Sequence, residues 1–383
     1  MSLEEVDIMK LLYIAPTKIN MKKLDGVAKK ITAQAKVFSN VYDVILLYRD
    51  DENVVLYRVN EGRFVKLGSG KSKFDILRAV FDVIIQEKID FSYIRYPNSD
   101  PLFLSLLKRM KEKGIRVVIE IPTYPYDEEG KESIKGRIIH LVDVCFRIKM
   151  YKYIERIVTY SNDDVIFGVN TIRTVNGLDF ERVQESNYSC VDRNIHMCGV
   201  ATFHQIHGYD RLIEGINHYY KNGGKRDITF DVVGYGDNEI LHEYQKMVKT
   251  YQLENRVVFH GRLDGTELDD MYDKAAIGVN SLAIHRQNLE NESTLKTREY
   301  AAKGLLILSS SFIDAFDEND NSKYVCRVPA DDTPIDIERA IRFYDELYNN
   351  EDIGSLRRQI RTKARAVCDM SVTLQPVIDF WNK

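Results

Sequence analysis

Short β-rich runs alternate with helical patterns along the whole chain. In the first half KLLYIA (10–15), VYDVILLY (41–48), VVLYRV (54–59), FSYIRY (91–96), IRVVIEI (115–121) and IVTYS (157–161) read as strands. Helical stretches fall between several of them, near 26–39, 72–88, 101–113 and 132–156. After the polar, turn-rich segment 176–194, which reads as a linker, the rhythm restarts with IHMCGVA (195–201), ITFDVVG (228–234), RVVFHG (256–261), AIGVN (276–280) and LLILSS (305–310). Alternation of this kind builds parallel sheets with helices on both faces.

The expected fold class is therefore α/β, with two Rossmann-like doubly wound domains facing across a cleft. The expected bounds are 1–185 for the first domain and 186–365 for the second, with a helix over 366–383 packing back toward the first. A chain of 383 residues exceeds what one core usually organises. Ligands of open α/β sheets bind outside the carboxyl ends of the strands.

Composition narrows the function. A net charge of −4 offers no basic field for nucleic acid. Five scattered cysteines without a CxxC pair point to free thiols in a reducing compartment. No basic-then-hydrophobic leader is visible, and no apolar run nears the roughly 18 residues of a membrane span. A cytoplasmic location is expected.

Several constellations have two accounts each. Gly234-Tyr235-Gly236 follows an apolar strand, but Glu239 stands where a dinucleotide fingerprint needs a third glycine, so no nicotinamide or flavin site is expected and a tight turn is the plainer account. Gly26 opens a helix whose N–H groups suit a phosphate, or it is simply a helix start. His196, His204 and His207 lack the spacing of a metal site, and no metal is expected. No GxSxG elbow supports hydrolase chemistry. Lys135, Arg137, Arg147, Lys149, Lys152 and Arg156 interleave with apolar residues over 134–157. Such a helix either lies on anionic lipid or packs its apolar side on its own sheet. Glu292, Lys296, Glu299 and Lys303 share one helical face, as a solvated ladder of ion pairs or as a grip on a polar ligand.

Taken in order, Asn176-Gly177-Leu178-Asp179, HGYDRLIEGI (207–216), FDVVGYG (230–236), VVFHGRL (257–263) and LKTREYAAKGLLIL (295–308) resemble the retaining nucleotide-sugar glycosyltransferases of group 1 (family 4), which have the GT-B fold. The resemblance implies that Glu299 binds the donor ribose, with further donor contacts from Gly26, His207, Gly208, Gly234, Gly236, Ser293, Thr294 and Leu295. The family's earlier glutamate maps onto Asn291, beside Glu292. Its usual arginine and lysine map near Thr202 and His207, which leaves Lys296 and Arg286 to meet the departing diphosphate. Arg95, Glu120 and Tyr124 stand at strand ends of the first domain, where an acceptor is expected.

The expected function is retaining transfer of a sugar from a nucleotide-sugar donor to a glycan or lipid-linked acceptor in surface polysaccharide or glycoconjugate synthesis. No cofactor is expected beyond the nucleotide-sugar substrate, and the basic helix near 134–157 would place the enzyme peripherally at the inner face of a membrane. Alternatives are a sugar-nucleotide epimerase of the same fold and a non-catalytic binding partner.

Overall fold

The computed structural model describes residues 8–127, 133–186, 194–289, 291–349 and 351–383; residues 187–193 of the expected linker lie outside these. Two compact units result, one comprising Met1–Gly177 with Met370–Lys383, the other Leu178–Asp369. The division thus falls at 177/178 rather than at 185/186, and the terminal helix that joins the first unit begins at Met370 rather than at 366.

The first unit contains β1 (Lys10–Lys18), β2 (Asp43–Arg49), β3 (Asn53–Arg58), β4 (Arg63–Ser69), β5 (Phe91–Arg95), β6 (Arg116–Ile121), β7 (Arg156–Thr159), β8 (Val165–Ile166) and β9 (Val169–Arg173). They form one sheet in the order β4-β3-β2-β1-β5-β6-β7-β9-β8. Its centre is parallel, whereas β3, β4 and β8 pair antiparallel. No helix separates β2 from β3, so the chain turns back as a hairpin there. The sequence reading lacked β4 because this edge strand is mostly exposed and carries no continuous apolar face.

Helices α1 (Gly26–Phe38), α2 (Lys73–Gln86), α3 (Pro101–Glu112) and α4 (Ile134–Arg147) accompany the sheet. The period-two alternation of β1 assigns its side chains to two cores. Leu12 and Ile14 pack with residues of α2 and α3, and Leu11 and Tyr13 pack with α1 and the terminal helix Met370–Trp381. Trp381 closes the second core, with ring centroids 5.0 Å from Phe91 and 5.9 Å from Phe38 and Tyr42.

In the second unit β10 (Ile195–Phe203), β11 (Ile228–Gly236), β12 (Val257–Gly261), β13 (Ile277–Val279), β15 (Leu306–Ser309) and β17 (Val325–Arg327) form a wholly parallel sheet, ordered β12-β11-β10-β13-β15-β17. A separate ladder pairs β14 (Asn291–Glu292) with β16 (Phe312–Ile313). The helices are α5 (Tyr209–Lys221), α6 (Asn238–Thr250), α7 (Thr266–Lys274), α8 (Leu295–Ala302), α9 (Glu318–Tyr324), α10 (Ile337–Tyr348) and α11 (Ile353–Cys368). Among the described residues no helix is long and apolar enough to cross a membrane.

If Trp381 ties the terminal helix into the first core, Trp381→Ala should cost about 3–5 kcal/mol of stability. Urea unfolding followed by circular dichroism measures this, since Trp381 is the only tryptophan. A loss below about 1 kcal/mol would show the helix to be peripheral to that core.

Candidate active site

At the carboxyl ends of three neighbouring strands of the second unit, β10, β13 and β15, the chain gathers polar side chains that a sheet buried on both faces cannot hold elsewhere. His207 follows β10, Asn280 and Ser281 follow β13, and Ser310 and Ser311 follow β15. The β14 ladder presents Glu292 from the side.

Glu292 is firmly held. Its Oε1 accepts hydrogen bonds from Asn280 Nδ2 at 2.5 Å and Ser311 Oγ at 3.3 Å, and its Oε2 accepts from Ser281 Oγ at 2.9 Å. Ser281 Oγ in turn lies 3.4 Å from Lys296 Nζ. The Lys296 ammonium also stands 3.1 Å from His207 Nδ1. On the other side of the ring, Nε2 lies 3.0 Å from the Thr202 carbonyl oxygen, which can only accept. Nε2 therefore carries the imidazole proton, and Nδ1 offers its lone pair to the lysine. Burial pushes the His207 pKa down to about 2, with Lys296 adding to the effect, so the ring is neutral at physiological pH. Burial also draws the Lys296 pKa down to about 8, against the pull of Glu292. The result is a cation with a neutral partner on one side and an anchored carboxylate nearby.

Helix α8 starts beside this network, and its N-cap Thr294 makes no side-chain cap hydrogen bond, which keeps the first turn's N–H groups from being closed off by their own cap. Arg298, fully buried, pins that turn: it pairs with Asp314 at 2.5 Å and donates to Ser293 Oγ at 2.9 Å and the Thr294 carbonyl at 3.0 Å. Ser293 Oγ also donates to Asp314 at 2.6 Å. Further along, Glu299 accepts from Tyr272 Oη at 2.8 Å, and Lys303 pairs with Asp269 at 2.9 Å and Asp273 at 3.0 Å. Glu292 stands on β14, ahead of the helix, and so does not share a helical face with Lys296, Glu299 and Lys303; all four find partners in a buried or half-buried setting rather than on a solvated face.

Other expected residues are placed differently. Arg286 lies on the turn packed against 205–207, but Asp210 at 2.6 Å and Asp332 at 2.8 Å already balance its charge. Gly208 adopts φ +59°, and a Cβ there would meet that of Ala283 at 2.7 Å, so the glycine lets the two turns touch. Gly234 and Gly236 lie inside β11, not in a turn; a Cβ on Gly234 would sit 1.8 Å from the Ala201 carbonyl oxygen. Both glycines therefore have a packing reason against β10. Leu295 opens α8. The Asn291 side chain lies outside the described residues, though its backbone belongs to β14.

In the first unit the helix at Gly26 is capped by Asp25, whose carboxylate accepts from the Ala28 N–H at 2.8 Å. A carboxylate at that spot opposes an anion. Arg95 and Glu120 do come together: fully buried Glu120 pairs with Lys30 at 2.9 Å and Arg95 at 3.2 Å, and accepts from Gln34 and Tyr160. Burial alone would raise the Glu120 pKa, but Lys30 and Arg95 hold it at about 2. Tyr124 stands apart from that group, edge-on to Tyr126 and Phe167.

The residues that sequence reasoning missed are Asn280, Ser281, Ser311, Tyr272, Arg298 and Asp314. The signal available for the first three was a polar run directly after an apolar strand, NS after AIGV and SSS after LLIL.

A testable consequence concerns pH. Below about pH 8 the folded protein bears the cost of a desolvated Lys296 ammonium; between about 8 and 10.5 the folded lysine is neutral while the solvated lysine of the unfolded chain still holds its proton. Stability relative to Lys296→Met should therefore rise as pH goes from about 8 to 10.5, as denaturant titrations would show. A difference that stays flat over that window would mean the ammonium is well solvated.

No protein-family model and no curated protein matches the chain. Solved structures do. A glycosyltransferase from Rickettsia africae superposes with a TM-score of 0.65 at 12% identity, covering 98% of both chains. HepE from Anabaena in complex with UDP gives 0.64 at 12% identity, covering 98% of this chain and 100% of that one. Sucrose-phosphate synthase from Thermosynechococcus elongatus gives 0.64 at 12%, covering 98% of both. The chain therefore has the two-unit α/β fold of the GT-B glycosyltransferases over almost its entire length.

Proposed function

We propose that the protein is a retaining glycosyltransferase that moves a sugar from a nucleotide-sugar donor to a glycan or lipid-linked acceptor, in surface polysaccharide or glycoconjugate synthesis. The observation that carries this reading is the Lys296 ammonium at the ends of β10, β13 and β15, held against neutral His207 and Ser281 at the uncapped start of α8. A departing nucleoside diphosphate gains negative charge as the glycosidic bond breaks, and a preorganised cation with helix N–H groups is what that charge needs.

In this reading the electron pair of the bond to the anomeric carbon goes to the diphosphate oxygen. The acceptor hydroxyl oxygen bonds to that carbon, and its proton passes to the departing diphosphate. Glu299, one turn along α8 from Lys296, accepts the donor's ribose hydroxyls. Glu292 takes no proton; it fixes Ser281, which lies within reach of Lys296. The charge comes from the chain itself, so no resident cofactor is needed. The first unit takes the acceptor near Arg95, Glu120 and Tyr124, and the chain works in the cytoplasm at the inner face of a membrane that it touches peripherally.

Incubation with a panel of nucleotide sugars tests the reading. Release of nucleoside diphosphate supports it. An isomerised but intact donor would indicate an epimerase instead, and binding without turnover a non-catalytic partner. Lys296→Met should lower turnover by about 10² or more while leaving the fold intact. Normal turnover in that variant would make the lysine structural.

Glu299→Ala should weaken nucleoside diphosphate binding by about 1.5–3 kcal/mol in calorimetry. Unchanged affinity would remove the ribose role. Because an anion beside Lys296 favours its protonated form, affinity should also fall as pH rises through about 8. A pH-independent affinity would place the phosphates elsewhere.

A further inference from the structure

Helix α4 is built inside out. Placed on a helical wheel, Ile134, Ile138, Leu141, Cys145 and Ile148 form one stripe, and Asp143 lies opposite. In a helix that packs on its own sheet the stripe would face the core. Here it faces outward: Ile134 is 79% exposed, Leu141 64%, Ile138 and Ile148 57% each. Asp143 is the one residue of α4 that is buried. Of the twenty large apolar side chains exposed among the described residues, seven fall between Ile134 and Tyr151.

A polar hub on the inner side holds the helix in this orientation. Asp143 accepts from the hydroxyls of Tyr96 at 2.5 Å and Tyr126 at 2.7 Å, from the Ser99 N–H, and from Arg147 at 3.4 Å. Arg147 also pairs with Asp127 at 2.7 Å and covers the Phe167 ring at 4.5 Å. Burying a carboxylate among donors is stable only if they stay in place, and rotating the helix would strand it. The apolar stripe is therefore fixed outward.

Charge selects what covers it. Arg147 faces the hub and Arg156 lies over Phe380, so neither serves the outer surface. Lys135, Arg137, Lys149 and Lys152 are exposed, and Asp143, turned inward, is the one acid between Ile134 and Tyr153. An apolar stripe rimmed by cations along a 14-residue helix about 21 Å long matches a bilayer surface with anionic headgroups.

We propose that α4 lies flat on an anionic bilayer, with Ile134, Ile138, Leu141 and Ile148 entering the acyl boundary and Lys135, Lys149 and Lys152 meeting the headgroups. This gives the peripheral contact a defined surface. It rests on the sugar-transfer reading only for its purpose, since binding depends on α4 alone.

Co-sedimentation of the full chain with phosphatidylcholine vesicles, with and without phosphatidylglycerol, tests it at low salt. Binding should require the anionic lipid. Changing Lys135, Lys149 and Lys152 together to Gln should reduce it about a hundredfold. The pair Leu141→Glu and Ile148→Glu, both exposed in the folded protein, should abolish it while circular dichroism stays unchanged.

In a Cys190→Ser background an environment-sensitive dye on exposed Cys145 should shift to the blue with anionic vesicles. No binding of the wild type would overturn the proposal. So would a dimer in light scattering that Leu141→Glu dissolves, because a second copy would then cover the stripe. Donor turnover measured on the same preparation separates the two readings. Vesicle binding without diphosphate release removes sugar transfer and keeps the surface; release without binding does the reverse.

Discussion

A parallel sheet covered by helices has no wet face, so polar chemistry is confined to the ends of its strands. The second unit follows this constraint. The six strands of its main sheet run parallel, and the segments that follow β10, β13 and β15 carry polar residues that converge on Glu292 and Lys296. The charges are tolerable there because each has partners of the right kind. Glu292 receives hydroxyl and amide donors, and Lys296 faces a lone pair on a histidine too buried to protonate. Removing one partner of such a network costs more than its own hydrogen bond, since the remaining group is left desolvated.

The first unit meets the same constraint with a different balance. Glu120, at the end of β6, is paired with Lys30 and Arg95 and bonded by Gln34 and Tyr160, so its charge is compensated within the protein. That cluster is closed, whereas the Lys296 site ends at a helix start with no side-chain cap. The contrast supports the proposal that an anionic ligand binds in the second unit. The Asp25 cap on α1 points the same way, because it puts a carboxylate where a phosphate would otherwise bind.

Much of the architecture was legible from the alternation of apolar runs and helical spacings, since a sheet buried on both faces demands continuous apolar strands. KLLYIA falls within β1 and LLILSS spans β15 for that reason. The exposed edge β4 was not legible, because a strand with little to bury leaves no apolar signature. The charged face of α8 is legible in the sequence, yet spacing along one helix does not show that Lys296 meets His207, 89 residues away in sequence. Nor does spacing show that Arg298 is fully buried against Asp314. Helix α4 shows the opposite limit: its periodicity announced an amphipathic helix but not which side faces in. Asp143 and its tyrosine donors decide that, and those donors come from the segments after β5 and β6.

The central claim is that one cation, Lys296, together with the first turn of α8, forms the seat of the donor diphosphate. A crystal structure of the protein with a bound nucleoside diphosphate tests this most directly. The account predicts a phosphate oxygen within hydrogen-bond distance of Lys296 Nζ and the ribose hydroxyls on Glu299. Phosphates bound at Gly26 or Arg286, with Lys296 still turned to His207 and untouched by the ligand, would contradict it.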